Sequence, residues 1–209
     1  MGKIKNIIFD LGGVIINLDI PKTITSFTEL GFADFKSLYT QAQQIPLFDE
    51  FDKGTVSPEN FFSELKKLLQ TDMDESRLIA AWNAMLLDFP PHRMDVIGQM
   101  NKKYRTFLLS NTNETHVTAF EQILEEQHAV KNLNHCFEKV YYSCRMNMRK
   151  PDPEIFRYVL NENKLVAEET VFIDDSIQHV KGALTCGIQA YLLDKNKDIV
   201  VLLEELKLL

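Results

Sequence analysis

The stretch Lys5-Asn6-Ile7-Ile8-Phe9-Asp10-Leu11-Gly12-Gly13-Val14 decides how this chain is read. A run of buried-type residues ends on one carboxylate, Asp10, and two glycines then free the backbone to turn sharply. In an open parallel sheet, ligands bind at the carboxyl ends of the strands. Asp10 therefore stands where a nucleophile or a metal ligand is useful. Three further stretches lie at or just past strand-like runs, in this order: Leu108-Leu109-Ser110-Asn111-Thr112, Arg149-Lys150-Pro151-Asp152 and Val171-Phe172-Ile173-Asp174-Asp175.

Working outward, residues 5–16 read as a strand interrupted by the glycine turn. From Pro21 to about Leu87 the periodicity is helical. Phe61, Phe62, Leu65, Leu68 and Leu69 fall at helix spacing, with Ser57 as N-cap and Pro58 in the first turn. A second helix over about Asp74–Leu87 carries Leu78, Ile79, Trp82 and Met85 on one side. Pro90-Pro91 ends the region, because proline cannot continue a helix. Beyond it, strands over Arg105–Ser110, Lys139–Ser143, Thr170–Asp174 and Gln189–Leu192 alternate with helices over Thr115–Gln127, Pro153–Leu165 and Ile177–Cys186. Asp152 is a candidate cap for the second of these helices, and Gly187 closes the third. Such alternation implies right-handed crossovers and a doubly wound parallel sheet covered on both faces. Segment 18–90 is too long for a loop and has almost no strand signal. It is expected to form an all-helical cap, with 1–17 and 91–209 making the α/β core.

Composition narrows the function. With 209 residues, 45% hydrophobic and 25% charged, the chain suits one soluble domain plus an insertion. The formal charge of −7, without a basic block, argues against nucleic-acid binding. Cys136, Cys144 and Cys186 form no CxxC and read as reduced thiols of a cytoplasmic protein. Asp10 interrupts the only apolar start, nothing approaches the length of a membrane span, and Asn6 after Gly2 leaves no myristoylation signal. A monomer or weak homodimer, without membrane or nucleic-acid partners, is expected.

Asp10 alone reads equally well as a turn aspartate. With the other three stretches in order it reads as a nucleophile, since a carboxylate attacking phosphorus splits hydrolysis into two easier displacements. Asp174 and Asp175 alone could be an exposed turn and a helix cap. With Asp10 they supply the hard oxygens that magnesium needs. Ser110 and the backbone N–H groups after it can hold a phosphate oxygen, with Asn111 in the same substrate-binding stretch. Lys150 would neutralise charge and fix Asp10 in position. Arg149 reads as structural or rim-lining, and Asp19 as a rim candidate. Asn113 and His116 read as capping or helix-surface residues, and Trp82 as cap core.

Together these motifs resemble the haloacid-dehalogenase-like hydrolases, most of which are magnesium-dependent phosphatases working through an aspartyl-phosphate. Around Ser110-Asn111-Thr112-Asn113, Met148-Arg149-Lys150-Pro151 and Phe172-Ile173-Asp174-Asp175, the chain is similar to the bacterial α-glucose-1-phosphate phosphatase branch. The resemblance implies a Rossmann-like core and adds the Gly12 carbonyl as a metal ligand. It favours Asp175 as the direct carboxylate, with Asp174 direct or acting through water. One position departs from the family pattern: Gly12 stands where a second aspartate usually supplies acid–base help. The implied function is Mg2+-dependent hydrolysis of a small phosphomonoester, such as a hexose 1-phosphate. Dehalogenation and phosphomutase chemistry are disfavoured, the first by the metal-type acidic pair and the second by Gly12. A non-catalytic phosphate-binding or regulatory protein on the same fold is the alternative that Gly12 keeps open.

Overall fold

A computed structural model describes residues 3–39 and 45–209. Gly2 and residues 40–44 of the expected cap lie outside the described residues. Five strands, β1 (Asn6–Phe9), β2 (Arg105–Ser110), β3 (Lys139–Tyr142), β4 (Thr170–Asp174) and β5 (Gln189–Leu192), form one parallel sheet in the order β3-β2-β1-β4-β5. The helices after the insertion are α6 (Pro91–Met100), α7 (Glu114–His128), α8 (Ser143–Met146), α9 (Pro153–Asn163), α10 (Ile177–Leu184) and α11 (Ile199–Glu205). Those preceding them are α1 (Ile20–Glu29), α2 (Phe35–Leu38), α3 (Pro46–Asp52), α4 (Pro58–Leu69) and α5 (Glu75–Asn83).

Side chains alternate across a strand, so β1 sends Ile7 and Phe9 to one face and Ile8 to the other. On the first face they join Val96, Ile97, Phe120 and Leu203 from α6, α7 and α11. On the second, Ile8 packs with Phe107 and Phe172 against Ile155, Phe156 and Ala183 from α9 and α10. Burial on both faces is why these strands read as continuous apolar runs.

Helices α1–α5 enclose a separate aromatic cluster, with Phe27 stacked on Phe35 (3.8 Å between ring centroids), Phe51 on Phe61 (3.9 Å) and Phe48 on Trp82 (5.5 Å). The chain enters and leaves this region through a narrow neck. There Leu18 and Leu86 pair antiparallel, and Asn17 exchanges backbone hydrogen bonds with Leu87 and Asp88. Helix α4 starts as its sequence dictates, with the Ser57 side chain accepting from Asn60 N. Several expectations change: β3 ends at Tyr142 so that Ser143 starts α8, and α9 and α10 end at Asn163 and Leu184, two residues early. Helix α5 stops at Asn83, short of Leu87, and the Asp152 side chain makes no cap hydrogen bond on α9, where Pro153 alone marks the start.

Candidate active site

Sheet register builds the site. Phe9 pairs with Ile173, so Asp10 and Asp174 leave the sheet side by side on neighbouring strands, and Asp10 N donates to the Ile173 carbonyl at 2.9 Å. Lys150, fully buried, bridges them from the loop before α9. Its Nζ donates to Asp10 Oδ1 (2.6 Å), Asp174 Oδ2 (2.7 Å) and the Leu109 carbonyl (2.8 Å). All three ammonium protons thus have an acceptor, which is what lets a charged lysine remain in a buried position.

The acidic pair divides its labour. Asp174 Oδ1 accepts from Ser176 N (2.8 Å) and lies 2.9 Å from His179 Nδ1, while Oδ2 takes Lys150 and lies 3.1 Å from the same imidazole nitrogen. Both of its oxygens are committed to protein donors. Asp175 instead leans against the glycine turn. Gly13 has φ +70°, and a Cβ there would come within 2.5 Å of Asp175 Oδ2, so only glycine allows both the turn and the approach. Oxygens of Asp10, Asp174 and Asp175 lie within 4.8 Å of one another.

Electrostatics follow from this crowding. Burial pushes Asp10 well above the usual carboxylate range and Asp174 adds to the push, against the pull of Lys150. Burial and Asp174 likewise raise Asp175 to about 6. Asp174 moves the other way: Lys150 and His179 overcome its burial and hold it low. Three carboxylates facing one ammonium leave uncompensated negative charge at the strand ends. A divalent cation held by Asp10 and Asp175 would fit that charge and that hard-oxygen donor set.

The residues singled out in the sequence converge unevenly. Asp10, Lys150, Asp174 and Asp175 form one cluster. Ser110 ends β2, just past the carbonyl that receives Lys150, and is buried with its Oγ 3.4 Å from the Asn111 carbonyl. Asn111 grips the backbone of Lys150 from both ends: Lys150 N donates to its Oδ1 (2.9 Å) and its Nδ2 donates to Lys150 O (2.8 Å). At Gly12, a Cβ would meet Leu18 Cδ1 at 2.6 Å, so an apolar side chain fills the space beside it. Arg149 pairs with Asp49 of α3 at 2.5 Å. Asp19 precedes α1 and makes no side-chain cap bond there. His179 was not singled out. Its signal was its place on the first turn of the helix that follows the acidic pair, which points it back at the strand end.

A family model, that of the haloacid dehalogenase-like hydrolases, matches residues 4–187, and the chain belongs to that family. It is 30% identical over 195 residues to a D-ribitol-5-phosphate phosphatase of Bacteroides thetaiotaomicron, covering 93% of this chain and 94% of that one. Among solved structures, it resembles a variant of the HAD family enzyme bt-2542 from the same organism, in complex with magnesium and inorganic phosphate. That match has a TM-score of 0.91 and 33% identity, over 95% of this chain and 98% of the other. A predicted HAD-like family hydrolase from Porphyromonas gingivalis matches with a TM-score of 0.89 and 30% identity, over 99% of this chain and 98% of that one.

Proposed function

We propose that this hydrolase cleaves small phosphomonoesters through an aspartyl-phosphate on Asp10, with magnesium held by Asp10, Asp175 and the Gly12 carbonyl. The observation that carries the reading is Lys150 bridging Asp10 and Asp174 beside Asp175. Lys150 fixes the Asp10 carboxylate while leaving its second oxygen for attack on phosphorus. The P–O bond to the alcohol breaks, and water then hydrolyses the acyl phosphate and releases inorganic phosphate. The metal supplies charge neutralisation and alignment of the phosphoryl oxygens. Ser110 and the backbone N–H groups that follow contribute hydrogen bonds to those oxygens. Helices α1–α5 act as the cap over the leaving group, spanning roughly 18–90 between core segments 1–17 and 91–209.

Sugar and sugar-alcohol phosphates are the substrates we place first. The D-ribitol-5-phosphate phosphatase similarity supports an acyclic polyol ester. The side-chain-free Gly12, with apolar Leu18 beside it, supports an ester such as a hexose 1-phosphate, whose anomeric oxygen leaves without much protonation. No helix among the described residues is long and apolar enough to cross a membrane, and the three cysteines are free thiols, which suits a reducing cytoplasm. The test is turnover of an aryl phosphate, D-ribitol 5-phosphate and glucose 1-phosphate with and without magnesium. Magnesium-dependent release of phosphate that falls by about 10³-fold or more in Asp10→Asn is expected. No turnover across the panel would favour a phosphate-binding protein instead.

A further inference from the structure

Asn111, Thr112 and Asn113 lie between the catalytic cluster and the helical insertion, and consecutive residues face each. Asn111 holds the Lys150 backbone. Two residues on, Asn113 is completely buried and every polar position of its amide is used. Its Oδ1 accepts from His116 N (3.0 Å) and from Trp82 Nε1 (3.4 Å), and its Nδ2 donates to Asp52 Oδ1 (3.2 Å) and to His116 Nδ1 (3.3 Å). His116 Nε2 in turn donates to the Trp82 carbonyl (3.2 Å), and its ring stacks on the indole with centroids 5.1 Å apart and planes 14° from parallel. The pattern is consistent with one neutral tautomer, and burial lowers His116 to about 4. Thr112 completes the join. Its N donates to Ser143 Oγ (2.9 Å), which also reaches the Asp52 carbonyl (2.5 Å). Nearby, Gly54 at φ +73° sits on the Cys144 carbonyl, where a Cβ would be only 1.8 Å away.

We propose that Trp82 and Asp52, on the inserted helices α5 and α3, are positioning residues for the reaction: through Asn113 and Thr112 they set Asn111, and through Asn111 the backbone that carries Lys150. This rests on the phosphatase reading only in assigning Lys150 to the phosphoryl-transfer site. A polar network centred on a buried, fully used amide fixes its members more tightly than isolated pairs do, and small misplacements of a catalytic group are costly to rate. The α3–α5 side of the insertion therefore stays seated on α7 and α8 throughout turnover, and it serves the chemistry in addition to covering the leaving group.

Trp82→Phe removes the indole N–H while keeping a ring, and Asp52→Ala removes the acceptor for Asn113 without touching the stack. Two readouts apply: steady-state kinetics on acetyl phosphate and on a sugar phosphate, and amide hydrogen exchange at Thr112 and Lys150. Both variants are expected to lower kcat on the order of tenfold on each substrate with KM little changed. Exchange at both amides should quicken, and Asn111→Ala combined with Trp82→Phe should cost less than the sum of the two. A loss confined to the larger substrate and expressed in KM would make these residues leaving-group contacts and overturn the proposal. So would unchanged exchange at Lys150 in both variants. Should the wild type turn over no phosphate ester, the phosphatase reading fails, and the exchange measurement still decides whether the network governs Lys150. If Trp82→Phe does not fold, Asp52→Ala carries the same measurements.

Discussion

At the scale of single residues, Asp174 and Asp175 are adjacent in sequence and opposite in surroundings. Asp174 is occupied on both oxygens by Lys150, His179 and Ser176 N, whereas Asp175 faces the glycine turn. Asp175→Asn should therefore raise the magnesium concentration for half-maximal activity by tenfold or more, since carboxylate charge dominates binding of a hard cation. Asp174→Asn should lower kcat with a smaller change in that concentration, because it loosens Lys150. Magnesium titrations of both variants check the contrast, and equal shifts would contradict it. Gly12 yields a second expectation. General acid–base help is worth about 10²–10⁴-fold, and glycine offers none, so rates should depend steeply on leaving-group pKa. Gly12→Asp should flatten that dependence once Leu18→Ala clears the space its Cβ needs, whereas Gly12→Asp alone should be impaired by the contact. kcat/KM across graded aryl and alkyl phosphates measures both. The convergence of Asp10, Asp174 and Asp175 is legible in the sequence because neighbouring strand ends meet by topology, whereas Lys150 reaches them from a loop before α9 and is legible only through its motif with Pro151. His179 is not, because its contact depends on the phase of a helix that the strand pattern does not set. Its place beside Ser110 makes Asn111 read as substrate-binding, and its two hydrogen bonds to Lys150 depend on a loop path that the sequence leaves open.

At the scale of elements, boundaries followed local chemistry where one residue controls them and slipped where packing does. Strands β2, β4 and β5 match the apolar runs residue for residue, and Ser57 caps α4 as its side chain allows. Helix α5 ends early because Asn17, Asp19 and the neck take up the backbone groups of residues 85–88. Helix α7 offers a measurable consequence. His116, near its start, is held neutral by burial at about 4, against an ordinary value near 6.5. Between those values the unfolded chain binds the extra proton and the folded chain does not. Stability from this group is thus complete above about pH 6.5 and is lost as pH falls towards 4, by up to about 1.4 kcal/mol per pH unit. Denaturant unfolding at several pH values should show this acid-side slope. His116→Gln should flatten it while lowering stability at neutral pH. The sequence placed His116 as a capping or helix-surface residue. Its burial against Trp82 is a tertiary fact that helix periodicity in either segment does not encode.

At the scale of the whole molecule, a chain of net charge −7 is set to bind an anion. Long-range repulsion of a dianionic ester is screened by salt, with a Debye length of about 10 Å at 0.1 M. Raising ionic strength from about 10 to 150 mM at saturating magnesium should therefore raise kcat/KM about twofold, with kcat nearly constant. A fall would mean that local positive charge dominates the approach. The sheet order has a consequence of another kind. Strand β1 is made first, yet its partners are Arg105–Leu108 on one side and Thr170–Ile173 on the other. On the ribosome, Ile7, Ile8 and Phe9 emerge long before their strand partners, whereas the aromatic cluster of α1–α5 draws on neighbouring sequence. Central non-local pairing of this kind is slow and leaves apolar strand surface open meanwhile. The order of synthesis thus runs against the order of assembly: the strand that ends on Asp10 leaves the ribosome ahead of both its partners and can complete its pairing only once Ile173 has been made.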